Sequence, residues 1–307
     1  MCGIFGYIGS KRATPILING MRRLEYRGYD STGIAIKDED ISIFKKVGKV
    51  SEMQSILPLN VQGVTGIGHT RWATHGGVTD ANAHPHASAS GDVVIVHNGI
   101  INNSRILRAS LVAKGVELKS ETDSEALAHL IEIELSVDNN PEAAVRRTLQ
   151  KARGTWGLCA LFKNHDLIVV ARNGSPLVIG KGDDETFISS DRPTLSEFTD
   201  RVVDLQDGDI AVITATSITR STLKGDSKKV EISVLEKSWG EADLGEYEHY
   251  MLKEIHEQPD ALRHCISGRL DRVRGNGRLG GLRLSPSALA KVPHVRLIGC
   301  GTALHAA

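Results

Sequence analysis

Apolar positions along the chain recur either with the period of two expected for strands or with the period near 3.6 expected for helices. Strands are predicted at residues 2–9, 33–38, 41–47, 64–70, 92–98, 156–163, 166–172, 176–181 and 209–216, and helices at residues 13–25, 102–115, 122–136, 141–152 and 246–266. These strands and helices come in runs and do not alternate strictly. That order favours an α+β layered sandwich over a doubly wound parallel sheet.

The character of the sequence changes near residue 240. Residues 246–266 have the pattern of a charged amphipathic helix, and residues 272–287 are rich in Gly and Arg, as in an exposed linker. Residues 294–307 predict a buried strand, a Gly turn and the start of a helix. Since one strand and one helical turn cannot bury themselves alone, we expect the chain to be cut short.

Composition and charge exclude several classes of partner. The chain has 37 basic residues (Lys and Arg) and 37 acidic ones, so neither nucleic acid nor an anionic membrane is an expected partner. No apolar run is long enough to cross a bilayer. The N-terminal segment places its basic residues after its apolar stretch, the reverse of a signal peptide, which predicts a cytoplasmic protein. The four cysteines have no zinc-site spacing, and we expect no metal and no cofactor.

Cys2 is the first candidate for chemistry because of its position. Initiator methionine is removed efficiently when the next side chain is small, and removal of Met1 would leave Cys2 with a free α-amino group beside its thiol. An α-amine has a pKa of roughly 7.7–8, so its neutral fraction can act as general base for that thiol. The alternative is that a cysteine at position two is accidental, and this residue alone does not decide.

Residues 69–76 (HTRWATHG) follow a predicted strand and have the composition of a binding loop. The Arg71 guanidinium can bind a carboxylate through two parallel hydrogen bonds, and Thr74 and His75 can add further hydrogen bonds. The alternative is a surface loop in which Arg71 makes a structural salt bridge.

The strand pattern at 92–98 ends in Asn98 and Gly99. Asn-Gly often marks a hairpin turn, but here further apolar residues and a helix follow instead of a return strand. The functional interpretation is an oxyanion hole made by the Asn98 side-chain amide and the Gly99 backbone N–H.

Residues 120–126 (SETDSEA) lead into a predicted helix, and the pairs Ser120–Asp123 and Thr122–Glu125 both fit a capping box. In the functional interpretation, Asp123 binds the amino group of an amino-acid substrate. Arg71 and Asp123 together would supply the anion and cation receptors that a free amino acid needs.

Several segments together resemble the glutamine–fructose-6-phosphate aminotransferase (isomerizing) family, the glucosamine-6-phosphate synthases. They are MCGIFGYIG (1–9), RRLEYRGYDSTG (22–33), HTRWATHG (69–76), NAHPH (82–86), HNGII (97–101), SETDSE (120–125), NGSPLVIG (173–180) and HYMLKEIHEQP (249–259). The resemblance covers essentially the whole chain. Other class II amidotransferases share the Cys-Gly start and an Asn-Gly, whereas EYRGYDS, TRWATHG and the 249–259 segment are typical of this family.

The resemblance implies a fold and a domain organisation. The implied fold is the four-layer αββα sandwich of N-terminal-nucleophile hydrolases, followed by a helical linker, which agrees with the α+β prediction. The implied domains are a glutaminase domain at 2–240, a helical and Gly/Arg-rich linker at 241–292, and the truncated start of a sugar-isomerase domain at 293–307.

The resemblance also implies a role for each candidate residue. Cys2 is the nucleophile, and Asn98 and Gly99 form the oxyanion hole. The residues implied to bind glutamine, to shield the ammonia path or to pack around the nucleophile are Arg71, Trp72, Thr74, His75, Asp123, Arg27 and Gly28. For His84, His86 and His97 we favour a structural role.

The implied reaction is attack of the Cys2 thiolate on the side-chain amide of L-glutamine, giving a glutamyl thioester and ammonia. In the full-length, homodimeric family the ammonia goes to fructose 6-phosphate, which becomes glucosamine 6-phosphate. The resemblance implies that this sequence has only the opening of the sugar-isomerase part, with Ala303 where Ser is common, and we expect most of the family's dimer surface to be missing. The alternatives are an amidotransferase with another acceptor and an inactive or regulatory glutamine-binding module.

Overall fold

A computed structural model describes residues 2–58, 60–73, 76–235, 246–267, 269–271, 275–277, 285–299 and 302–307. The chain divides into two compact units, Met1–Glu241 and Ala242–Ala307. Within the described ranges, no helix is long and apolar enough to cross a membrane.

The first unit contains most of the regular structure. Its strands are β1 (Gly3–Ile8), β2 (Ser31–Lys37), β3 (Ile41–Val47), β4 (Thr65–Arg71), β5 (His86–Ala87), β6 (Val93–Ile101), β7 (Gly154–Phe162), β8 (His165–Asn173), β9 (Val178–Lys181), β10 (Thr186–Ser189), β11 (Arg201–Asp204), β12 (Asp209–Ile213), β13 (Ile218–Thr222), β14 (Ser227–Lys228) and β15 (Ser233–Val234). Its helices are α1 (Ala13–Leu24), α2 (Val50–Ser55), α3 (Ser104–Ala113), α4 (Glu125–Asp138) and α5 (Pro141–Lys151), with 3-10 turns at Glu25–Arg27 and Pro193–Glu197.

The second unit contains short elements and one long helix. These are α6 (Tyr250–Ile266), β16 (Leu270–Asp271), β17 (Asn276–Gly277), α7 (Pro286–Leu289) and α8 (Thr302–Ala306). Pro259 lies inside α6.

Two antiparallel sheets stack face to face in the first unit. Among the described residues, one sheet has eight strands in the order β15-β11-β9-β10-β1-β4-β2-β3, and the other has seven in the order β14-β13-β12-β8-β7-β6-β5. We call them the first and the second sheet. β1 lies in the interior of the first sheet, between β10 and β4.

Three apolar layers hold the sheets and helices together. Alternate residues of β1 show how: Ile4 and Ile8 pack between the two sheets, whereas Phe5 and Tyr7 pack against α1 and α2. On the far side of the second sheet, apolar residues of β6 and β7 pack against α3, α4 and α5. The order of layers is therefore helix, sheet, sheet, helix, which confirms the predicted αββα sandwich. Because β1 is covered on both faces, its side chains are buried along its whole length.

The elements predicted between residues 2 and 181 all form, with ends that shift by a few residues. The 33–38 and 41–47 segments pair as the antiparallel hairpin β2–β3. The pattern did not predict α2, β5, β10, β11 or β13–β15. These strands are two to five residues long, too short for a period of two to stand out.

The strand predicted at the start of 294–307 was wrong. Residues 294–299 have no regular structure, and Val295 and Ile298 are 80% and 88% exposed. A strand forms only where a neighbour completes its hydrogen bonds, and none of the described residues pairs with this segment. Most of the predicted linker at 272–287 lies outside the described residues.

Four histidines are buried near one another. His69 lies on β4, His84 lies just before β5, His86 opens β5, and His97 lies on β6. The rings of His69 and His84 stack with centroids 4.2 Å apart, and His86 meets His84 edge to face at 4.4 Å. Burial lowers the pKa of His69 to about 3 and lowers the pKa values of the other three below their ordinary range. The group is therefore neutral in the folded protein at neutral pH.

We expect stability to fall as the pH drops from 7 to 5.5. In the unfolded chain these histidines protonate near their ordinary pKa of about 6.5, whereas the folded state keeps them neutral. Protons therefore bind preferentially to the unfolded state over this range. Each histidine should remove roughly 1 kcal/mol from the free energy of unfolding between pH 7 and 5.5, and urea unfolding at several pH values measures the sum.

His84→Phe should reduce this pH dependence by about a quarter, since it removes one of four such groups. The control is His256→Gln on α6, which changes an exposed histidine and should leave the pH dependence as it is. A free energy of unfolding that stays constant between pH 7 and 5.5 would contradict the burial of four neutral rings.

Candidate active site

The start of β1 and the end of β4 meet at one edge of the first sheet. The antiparallel register pairs Gly3 with Thr70, and on the other side of β4 it pairs Ser31 with Arg71. Cys2, the residue before β1, therefore lies beside the chain that leaves β4. The candidate residues near 2 and near 71 are brought together by strand pairing alone.

Backbone groups of Trp72 hold the Cys2 thiol. The Trp72 N–H donates to Cys2 Sγ at 3.2 Å, and Sγ lies 3.4 Å from the Trp72 carbonyl oxygen. Burial raises the pKa of the Cys2 thiol, and the Trp72 N–H and the charge of Arg71 act in the opposite direction without cancelling that effect. The thiol is therefore protonated at neutral pH, and a base must remove its proton before it can attack.

Gly28 packs against the peptide that holds the thiol. A Cβ at this position would lie 2.6 Å from the carbonyl carbon of Arg71 and 2.8 Å from the nitrogen of Trp72. Only glycine permits this approach of two backbones. Arg27, one residue earlier, points to the loop after β10, where its Nη1 donates to Asp191 Oδ1 at 2.9 Å.

Asn98 reaches this edge from the second sheet. Asn98 and Gly99 lie inside β6, paired with Gly157 and Trp156 of β7, so the Asn-Gly pair is not a hairpin turn. Asn98 Nδ2 donates to the backbone carbonyl oxygen of Cys2 at 3.1 Å. Gly99 has φ of +135°, and a Cβ there would lie 2.2 Å from the carbonyl oxygen of Thr155. The strand can take this path only with glycine at position 99.

Arg71 and Asp123 lie close enough to interact electrostatically. Arg71 is almost fully buried, and its guanidinium donates to the carbonyl oxygens of Gly77 and Gly76 at 3.1 and 3.4 Å. Burial lowers the pKa of Arg71, while the nearby groups of Cys2, Asp30 and Asp123 oppose that shift. Arg71 therefore interacts electrostatically with both Asp123 and Cys2.

Asp123 is fixed by the backbone of β6. Its Oδ2 accepts the Ile101 N–H at 2.7 Å, and its Oδ1 lies 3.4 Å from the hydroxyl of Ser124. The capping box proposed for this segment is only half formed. Thr122 Oγ1 accepts the Glu125 N–H at 3.4 Å, but the Glu125 carboxylate accepts from the backbone of residues 119 and 120. This leaves Asp123 outside the cap.

Trp72 borders the site at the surface. Its side chain is 43% exposed and meets Tyr29 edge to face, with ring centroids 5.4 Å apart. Thr74 and His75, also predicted to bind substrate, lie outside the described residues.

Sequence reasoning missed two residues that contact the predicted set. Asp30 accepts the Ala73 N–H on Oδ2 at 2.8 Å and donates its own N–H to the Arg71 carbonyl, so it shapes the loop after β4. His69 Nε2 lies 2.9 Å from Asn98 Oδ1. Asp30 stands inside the EYRGYDS segment and His69 opens the HTRWATHG segment, so their positions were visible although their contacts were not.

The described side chains of the site are polar or charged. Within the described part of the chain, no group of three or more His, Cys, Asp or Glu side chains is placed to hold a metal ion. The chemistry available from these residues is a thiol, an amide donor and a pair of opposite charges.

The sequence is similar to known proteins over its whole length. A family profile described as a glutamine amidotransferase domain matches residues 69–197. The chain is 44% identical to the glutamine–fructose-6-phosphate aminotransferase (isomerizing) of Chlorobaculum tepidum and to that of Thermus thermophilus, over 100% of this chain. It covers 51% and 50% of those proteins, so the chain spans about half the length of the curated relatives it matches.

The fold is also found among solved structures. The glutamine phosphoribosylpyrophosphate amidotransferase of B. subtilis, complexed with ADP and GMP, superposes with a TM-score of 0.64 over 75% of this chain and 50% of its own, at 24% identity. This chain contains a glutamine amidotransferase domain and is homologous to about half the length of the glutamine–fructose-6-phosphate aminotransferases.

Proposed function

We propose that this chain hydrolyses the side-chain amide of L-glutamine, with Cys2 as the nucleophile after Met1 is removed. One observation carries the proposal: the side-chain amide of Asn98, from the second sheet, donates to the carbonyl oxygen of Cys2 at 3.1 Å. The oxyanion donor and the nucleophile therefore belong to one site. A donor of this kind typically contributes about 2.7–4 kcal/mol to the stability of the transition state.

Because the pKa of the Cys2 thiol is raised, the thiol carries its proton at neutral pH, and the reaction needs a base to remove it. While Met1 is attached, the nitrogen of Cys2 is a peptide nitrogen and cannot accept a proton. Removal of Met1 turns it into an amine, which takes the thiol proton while sulfur bonds to the amide carbon of glutamine. The carbon–nitrogen bond then breaks, ammonia leaves with a proton from the ammonium group, and water hydrolyses the thioester.

Opposite charges position the substrate in this scheme. The Arg71 guanidinium binds the α-carboxylate of glutamine, and the Asp123 carboxylate binds its α-ammonium group. Both side chains are more than nine-tenths buried, so a charge-assisted bond to either is little screened by solvent. Thr74 and His75 remain predicted to add hydrogen bonds, and Trp72 remains predicted to shield the ammonia.

The wider reaction of the relatives is also a proposal for this protein. Their name gives fructose 6-phosphate as the acceptor, and we infer that ammonia released here serves the same synthesis when the remaining half of such an enzyme is present. Cytoplasmic location stays a prediction from the sequence.

We expect ammonia release from glutamine to depend on Cys2 and on loss of Met1. Cys2→Ala should lower kcat by at least about 10³-fold, because it removes the thiol on which the thioester forms. A thiol-directed glutamine analogue should label Cys2, and the intact mass of active protein should be lower than that of the full sequence by one methionine. Ammonia assays with and without fructose 6-phosphate measure the reaction.

Cys159→Ala is the matched control. Cys159 is fully buried between the sheets, and burial raises the pKa of its thiol, so its loss should leave ammonia release unchanged. Labelling of Cys159, or full activity of Cys2→Ala, would disprove the proposal. Binding without turnover by protein that retains Met1 would instead identify a glutamine-binding module.

We expect Asp123→Asn to raise the KM for glutamine by roughly 10–100-fold, with a smaller change in kcat, because a bond to a charged group contributes about 1.5–3 kcal/mol. The asparagine can still accept the Ile101 N–H, so the local backbone should hold. Steady-state ammonia release measures both constants. The control is Asp138→Asn at the end of α4, where the carboxylate pairs with Arg147 instead.

A substrate without the amino group, 4-carbamoylbutanoate, tests the assigned partner directly. The wild-type protein should show a raised KM with it, and Asp123→Asn should add no further increase. If Asp123→Asn raises both values of KM equally, Asp123 does not bind the ammonium group.

A further inference from the structure

The side-chain amide of Asn98 is held at both of its ends. Its Nδ2 lies 3.1 Å from the carbonyl oxygen of Cys2, and its Oδ1 lies 2.9 Å from Nε2 of His69. Asn98 and His69 are both buried. Both partners come from the first sheet, where Ile4 and His69 are paired across β1 and β4.

We propose that His69 is a positioning residue whose Nε2–H holds the Asn98 amide in the orientation that presents Nδ2 to the reacting centre. This inference rests on the proposed glutaminase function and deepens it. It assigns His69 no contact with substrate, since its effect passes through Asn98.

The hydrogen-bond chemistry fixes the orientation without reference to atom labels. A backbone carbonyl oxygen only accepts, so the amide atom of Asn98 that faces Cys2 must be the nitrogen. The atom that faces His69 is then the oxygen, which also only accepts. His69 Nε2 must therefore carry a hydrogen, and the neutral ring has its bare nitrogen at Nδ1.

The other tautomer of His69 would favour the opposite amide orientation. A bare Nε2 would attract the NH2 group of Asn98 and turn its oxygen toward the carbonyl oxygen of Cys2. Two acceptors would then face each other where the oxyanion is to form. The position of one proton on His69 thus decides whether Asn98 stabilises or repels the developing negative charge.

The surroundings hold the ring in place and keep it neutral. His69 stacks on His84, which in turn meets His86, and His86 Nε2 lies 3.0 Å from Thr122 Oγ1. Burial lowers the pKa of His69 to about 3, although its bond to Asn98 acts in the opposite direction. His69 therefore stays a neutral donor throughout the pH range in which the enzyme would work.

The test compares His69→Phe with His69→Gln in the full chain. Phenylalanine keeps a ring against His84 but cannot donate, whereas glutamine carries an N–H at a similar distance from the backbone. We expect His69→Phe to lower kcat for glutamine by roughly 10–100-fold with little change in KM, since an oxyanion donor acts in the transition state. His69→Gln should recover most of the lost rate.

A double-mutant cycle separates positioning from general damage. In an Asn98→Ala background, His69→Phe should change kcat by less than about twofold, because the group it positions is gone. Alkylation of Cys2 by iodoacetamide forms no oxyanion, so its rate should be similar in wild type and His69→Phe. Independent losses in the cycle, or an equal fall in alkylation and hydrolysis, would overturn the role of His69.

A measurement without turnover keeps this test separate from that of the proposed function. In protein labelled with ¹⁵N-histidine, long-range ¹H–¹⁵N spectra should show His69 as the neutral Nε2–H tautomer at every pH between 5 and 8. An Nδ1–H tautomer, or protonation within that range, would overturn the inference even if the chain is an active glutaminase. Failure of Cys2-dependent ammonia release with the Nε2–H tautomer present would reject the function alone.

Discussion

One amide in this molecule ties the two sheets together where the chemistry is placed. Asn98, on the second sheet, binds the carbonyl oxygen of Cys2, the residue before β1, and the ring of His69 on β4. β1 and β4 are neighbouring strands of the first sheet. The site therefore exists only when the sheets are stacked in register. The apolar layer between them, with Ile4 and Val96 among its fully buried members, sets that register. Apolar packing between the sheets thus controls the distance between Cys2 and Asn98.

The same stacking imposes a cost on every polar group between the sheets. A buried polar atom without a hydrogen-bond partner destabilises the folded state by about 1–3 kcal/mol, and a buried charge without a partner destabilises it more. The structure meets this constraint in two ways. Burial keeps the histidines neutral, and His69, His86 and His97 each bond to a side chain of another residue, whereas His69 Nδ1 and both ring nitrogens of His84 have no hydrogen-bond partner among the described residues. Arg71 and Asp123 are held by backbone groups. What remains polar and charged at this edge is what a zwitterionic substrate needs.

The sequence predicts those features of the fold and the site that depend on local patterns of residues. Strand and helix periodicity predicted an α+β layered sandwich, and the resemblance to a known family implied its four αββα layers. The positions of Cys2, Asn98 and Asp123 relative to their elements marked them as candidates. Contacts over long separations were not predictable, because no local rule relates residue 27 to residue 191 or residue 69 to residue 98. The 294–299 segment shows that a local pattern can also predict an element that does not form. Its apolar pattern is typical of a strand, but none of the described residues pairs with it, so no strand forms.

These constraints together favour histidine at position 69. Lysine or arginine would also donate to Asn98 Oδ1, but a second cation beside Arg71 would be repelled and would need to be desolvated between the sheets. Serine or threonine would donate but could not span the distance from β4 to β6. A neutral imidazole reaches Oδ1, donates from one nitrogen, stacks on His84 and carries no charge at neutral pH. The cluster of buried histidines is therefore best understood as the support of an oriented amide, and its low affinity for protons is the property that makes it suitable.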